Sequence, residues 1–170
     1  IDMKNKLINI VTKSAKQTKD QAIGAIQPAR YIKGLKKSQI GKGKTVLVTG
    51  ASSGIGQGMA RLFAKLGYNL AICARRSERL EQLKTDLLNS YPDIKVEYRV
   101  LDVAEYESIF DVFQDFKKEF GHIDRIVVNA GVGESRRIGK GGFDINRRTA
   151  EINFVSALAQ CEAAMQIFRE

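Results

Sequence analysis

The chain has 170 residues, 44% of them hydrophobic, which is room for one α/β domain with a buried core and an appendage. Its net charge of +9 sits at one end: residues 1–44 hold 11 Lys/Arg against 2 Asp/Glu, and residues 45–170 hold 17 against 17. A neutral domain with a basic arm excludes the uniformly basic face of a nucleic-acid binder, and two distant cysteines with one histidine suggest neither a disulfide framework nor a metal site.

Residues 1–43 read as a basic extension. Apolar or small residues at Leu7, Val11, Ala15, Ala22 and Ile26 predict an amphipathic helix, which Pro28 ends, and the glycines and lysines of 33–43 read as a linker. Such an arm is suited to an anionic membrane surface or to another subunit, or is a plain solvated appendage. The N-terminus lacks the apolar run and cleavage site of a secretory signal, so a cytoplasmic location is expected.

From Lys44 onward short β-rich runs alternate with helical ones. Strands are predicted at Thr45–Val48, Tyr68–Ala74, Val96–Val100 and Arg125–Val128, and helices over 54–66, 77–89 and 105–120. The first helix is expected to turn Met59, Ala60, Leu62 and Phe63 inward, the second Leu80, Leu83 and Leu87, and the third Ile109, Val112 and Phe116. Cys73 and Cys161 read as reduced packing residues. A Gly- and Arg-rich loop to Gly142 precedes a last helix from about Arg147 to Phe168. Alternation of this kind predicts an α/β fold, a doubly wound parallel sheet with strand order 3-2-1-4 over residues 44–170.

The first strand runs into Thr49-Gly50-Ala51-Ser52-Ser53-Gly54-Ile55-Gly56, with a helix following at once. Gly50 suits a tight exit from the strand, Gly54 a close approach of backbone to a pyrophosphate, and Gly56 close packing of helix and strand, with the helix N-terminus facing the phosphates. The spacing Gly-x-x-x-Gly-x-Gly departs from the usual Gly-x-Gly-x-x-Gly and resembles the short-chain dehydrogenase/reductase family. Leu101-Asp102-Val103, Asn129-Ala130-Gly131 and Ile152-Asn153-Phe154 follow in that family's order, and the resemblance covers about residues 44–170. It implies that Ser52, Ser53 and Ile55 belong to the cofactor turn, that Asp102 and Val103 border the adenine, and that Asn129, Ala130 and Gly131 close over the cofactor. The alternative for Asp102 is a loop cap.

Where an NAD enzyme places an acidic residue after the second strand, Ala74 stands here, followed by Arg75 and Arg76. A carboxylate repels the 2′-phosphate of NADP and a guanidinium pairs with it, so NADP(H) is the expected cofactor, with Arg75 the better placed of the two.

The resemblance further implies hydride transfer between nicotinamide and a small carbonyl or alcohol substrate, with a Tyr whose pKa a Lys lowers and a Ser that positions the substrate oxygen. Those residues should follow the helix that bears Asn153, and Glu170 comes first. Asn153 is the one tetrad member within reach, expected to kink its helix and hold a relay water. Tyr91-Pro92-Asp93-Ile94-Lys95 has the Tyr-x-x-x-Lys spacing, but it reads as a turn entering a strand, where the two side chains do not share a face. Because four strands with an uncovered edge invite aggregation, the expectation is an NADP-dependent oxidoreductase whose catalytic segment lies further on, and the resemblance implies a homo-oligomer when it is complete. The other reading is a nucleotide-binding or interaction module without catalysis.

Overall fold

The computed structural model describes residues 40–169, and the amphipathic helix expected over the arm lies outside them. Four parallel strands form one sheet: β1 Thr45–Thr49, β2 Asn69–Ala74, β3 Val96–Val100 and β4 Arg125–Val127, in the order β3-β2-β1-β4. The order reverses beside β1, so the crossovers diverge there and leave a crevice at the carboxyl edge of the sheet. The helices are α1 Gly54–Lys65, α2 Ser77–Ser90, α3 Tyr106–Phe120, α4 Phe143–Ala150 and α5 Ser156–Arg169, with one π-helical turn, Glu151–Val155, joining the last two.

Alternation along β1 and β2 divides the apolar side chains between two layers. Val46, Val48, Leu70 and Ile72 pack with Ala60, Ala64, Leu80, Leu83 and Leu87 beneath α1 and α2. Leu47, Ala71 and Cys73 point the other way, onto Ile109, Phe113 and Phe116 of α3 and Ala163, Ala164 and Ile167 of α5. At the opposite edge of the sheet the Thr45 amide donates to Asp124 Oδ2 at 2.8 Å, fixing the start of β1 against the start of β4.

The expected stripe on α2 is buried as read. Three other expectations need correction. On α1 the inner face is Gly56, Ala60 and Ala64, while Leu62 is 55% exposed, because a helix pressed this close to the sheet leaves room only for small residues there. On α3 the buried residue is Phe113, and Val112 is only half-buried at the margin of the stripe. Cys161 is exposed on α5, not a packing residue. The last helical stretch also begins earlier than expected, at Phe143. Among the described residues no helix is long and apolar enough to cross a membrane, and no group of His, Cys, Asp and Glu could hold a metal ion.

Candidate functional site

The chain leaves β1 through a turn that only glycine can make. Gly50 has φ +67°, and a Cβ there would stand 2.9 Å from Ala130 Cα. A Cβ on Gly56 would stand 2.5 Å from the Gly50 carbonyl oxygen and 2.6 Å from Asn129 Nδ2. The close packing expected at Gly56 is therefore against the turn itself and the exit of β4. Gly54, at φ +56°, opens α1, whose first-turn amides lack helical partners.

Thr49 carries more of this geometry than its place in the motif suggested. Fully buried, its hydroxyl accepts the amides of Asn129 and Ala130, each at 3.0 Å, and donates to the Val127 carbonyl at 3.4 Å. Asn129 returns the contact, its Nδ2 donating to Thr49 O at 2.9 Å. A threonine at the end of a β-rich run is an ordinary strand residue, so sequence alone gives no sign of this role.

One cleft at the sheet's carboxyl edge gathers most of the expected cofactor residues: Gly50, Ser52, Ser53, Arg75, Arg76, Asp102, Val103, Ala130 and Gly131 line it, with Cys73 and Val132. A shallower neighbour takes in Ile55, Asn129 and Asn153, and shares Ala130, Gly131 and Val132. Gly54 and Gly56 line neither cleft and act through the turn.

The two arginines after β2 part company. Arg76 extends its guanidinium over the glycine turn, with Nη2 donating to Ser52 Oγ at 2.9 Å and to Ser53 Oγ at 2.7 Å, and Nε to Ser52 Oγ at 3.2 Å. Arg75, expected to be the better placed, instead lies 4.0 Å from the Asp102 carboxylate. Asp102 also accepts the Ala104 amide at 3.1 Å, the loop cap that was its other reading. Burial pushes the Cys73 thiol up to about 12, so it is a neutral wall of the cleft near neutral pH.

Asn153 sits in the π-turn. Its Nδ2 donates to Val132 O and its Oδ1 accepts the Val132 amide, both at 2.8 Å, so its carboxamide acts as a strand partner for the segment after β4. The helix winds more widely over this turn, Glu151–Val155. Tyr91, by contrast, follows the last residue of α2, and Lys95 pairs with Glu119, so neither residue belongs to the cleft.

A doubly wound parallel sheet with a glycine turn and a cleft at its switch point defines a Rossmann-fold protein. The family model for short chain dehydrogenases matches residues 44–170, and the chain belongs to that family. An uncharacterized oxidoreductase of Mycobacterium tuberculosis H37Rv is 49% identical over 125 residues, covering 74% of this chain and 49% of its own. The structure of an alcohol dehydrogenase from the archaeon Thermococcus sibiricus complexed with 5-hydroxy-NADP is 32% identical, with a TM-score of 0.70 over 74% of this chain and 53% of that one. An NADPH-dependent 3-quinuclidinone reductase from Rhodotorula rubra is 26% identical, with a TM-score of 0.71 over 78% and 50%. The chain thus spans about half the length of the curated relatives it matches first.

Proposed function

We propose that residues 44–170 are the nucleotide-binding part of an NADP(H)-dependent oxidoreductase that moves a hydride between nicotinamide and a small carbonyl or alcohol. The observation that carries the cofactor choice is the Arg76 guanidinium spread across Ser52 and Ser53, at a strand end where no carboxylate stands. Two hydroxyls and a planar cation converging on one point match the oxygens of a phosphate monoester, and the glycine turn keeps Cβ atoms out of the space beside them. The Thermococcus protein is complexed with 5-hydroxy-NADP and the Rhodotorula reductase is NADPH-dependent, which agrees with that choice.

In this reading Arg76 takes the 2′-phosphate with Ser52 and Ser53, and Arg75 with Asp102 closes the adenine end. Asn129, Ala130 and Gly131 wall the cleft, and Ile55 and Asn153 face its nicotinamide end. Bound nicotinamide supplies or accepts the hydride. The proton-transferring Tyr and Lys of this reading are not among the residues assigned here, and the matched region makes up about half of the curated relatives. Phe154, Leu158, Met165 and Phe168, all exposed on or just before α5, form the surface that a second copy covers in the complete protein.

Nicotinamide fluorescence during titration of NADPH and NADH into the full-length gene product tests the assignment. The parent should prefer NADPH, and Arg76→Asp should lose that preference by about tenfold or more, the size of a charge-assisted hydrogen bond, with Arg75→Asp the lesser effect. Preference for NADH in the parent, or an Arg76→Asp protein that still prefers NADPH as strongly, overturns it.

A further inference from the structure

The segment after β4 runs alongside α4 and the π-turn and is tied to them by three polar side chains in succession. Asn153 holds both backbone groups of Val132. Thr149 Oγ1 donates to Glu134 O at 2.6 Å. Asn146 accepts the Arg136 amide at 2.7 Å and donates to Arg136 O at 2.9 Å. Alternate residues of an extended segment, 132, 134 and 136, thus meet helix positions spaced four and three apart, which lie on one face. The Arg136 side chain then crosses Gly142, where any Cβ would come within 2.1 Å of Arg136 Cβ, and glycines at positive φ, Gly139 and Gly141, turn the chain back into α4.

The loop so held is cationic. Residues 133–142 contain Arg136, Arg137 and Lys140 against Glu134 alone. Among the described residues none of the three cations has a carboxylate partner, and the neighbouring acids Asp144 and Glu151 are both engaged by Arg147. Arg136, Arg137 and Lys140 are exposed and lie within five residues of one loop, so an anion bound there meets a net positive field.

The place of the loop says which anion. It continues directly from Val132, which lines both clefts, and the ladder that holds it begins at Asn153 in the shallower one. From Asn153 to Asn146 is roughly 10 Å of helix, and none of the three cations lines either cleft, so a group that they hold projects beyond the cleft. We infer that Arg136, Arg137 and Lys140 recognise an anionic group, carboxylate or phosphate, carried by the substrate at a distance from its reacting carbon. Asn146 and Thr149 are positioning residues that hold the loop at the cleft. The inference rests on the oxidoreductase reading above and adds the chemical class of the substrate.

The test compares para-formylbenzoate with its methyl ester, an anionic and a neutral aldehyde of one shape, as substrates of the full-length gene product with NADPH. The acid should be favoured in kcat/KM by about tenfold or more. That ratio should shrink as salt rises and fall close to unity in the triple variant Arg136→Gln, Arg137→Gln, Lys140→Gln. Gln keeps the aliphatic stems, and an unchanged melting temperature reports that the variant folds. Arg148→Gln, a cation of α4 outside the loop, should keep the parent ratio, and Thr149→Val should raise KM for the acid with little change in kcat. An ester used as well as the acid, or a triple variant that keeps the preference, overturns the inference. Calorimetric binding of para-formylbenzoate separates the two readings. Binding lost in the triple variant while neither aldehyde is reduced would sink the oxidoreductase reading and keep the anion site, and absence of binding with reduction of the ester intact would do the reverse.

Discussion

The glycine turn after β1 and the segment after β4 line the same cleft, yet the first is shaped by missing side chains and the second by side chains that stand in for backbone. Gly50 and Gly56 admit no Cβ because the backbone at Ala130 and the Asn129 side chain press against them. Across the cleft, Thr49, Asn129 and Asn153 satisfy amides and carbonyls that no neighbouring strand reaches. A wall made of absence fails by collision and one made of hydrogen bonds fails by desolvation, so substitutions on the two sides should differ in size and in what rescues them.

The largest effect is expected on the glycine side. Gly56→Ala forces a methyl to within 2.5 Å of the Gly50 carbonyl oxygen, and the obstacle is backbone, which cannot step aside as a flexible side chain would. Overpacking of this kind costs about 1–3 kcal/mol or more, a fall of roughly 5–10 °C in melting temperature for a domain of this size. NADPH affinity should fall with it, since the turn moves. No second residue at this position restores the parent, and a Gly56→Ala protein with parental melting and NADPH affinity would show that the turn yields.

Thr49→Val sits next in size and tests the other side. Valine fills the same space but leaves the part-buried Asn129 and Ala130 amides without their acceptor, at about 1–2 kcal/mol for the pair. Thr49→Ser restores the oxygen and should recover most of the loss in a urea unfolding series, which has no counterpart at Gly56. Equal stability of the Val and Thr proteins would mean that other groups satisfy those amides.

How legible each side was follows from the same contrast. Glycine spacing is a local signal, so the turn at Gly50, Gly54 and Gly56 and the strands around it could be read directly, as could the α2 stripe of Leu80, Leu83 and Leu87. The exchange of Phe113 for Val112 and the exposure of Leu62 depend on how closely each helix lies on the sheet, which periodicity does not carry. Arg75 and Arg76 are neighbours that line the same cleft, and only the position of Ser52 and Ser53 in space shows which of the two meets the glycine turn. Asn146 and Thr149 were unreadable for a different reason. Polar residues along a helix face ordinarily meet water, and nothing local reveals that a glycine-rich loop lies on them instead.

The smallest effect concerns the two cysteines, one in the floor of the cleft and one outside it. Cys73 is fully buried and its folded pKa is raised from 9.0 to about 12, because burial penalises the thiolate. The unfolded chain therefore gives up this proton first. Between those two values the folded state binds more protons than the unfolded one, so stability is fully present below pH 9.0 and is lost as pH rises toward 12. The slope from this one group approaches about 1.4 kcal/mol per pH unit inside that window. Tyrosines and lysines titrate there too, so the measurement is a difference: urea-derived stability at about pH 8 and about pH 9.5 for the parent and for Cys73→Ala, where the variant should lose less, by under about 1 kcal/mol, on going to the higher pH. Only Cys161, whose thiol is exposed, should react with a thiol reagent before unfolding. Equal pH slopes in parent and Cys73→Ala would mean that water reaches the Cys73 thiolate, and that the floor of the cleft opens in a way the packed sheet does not.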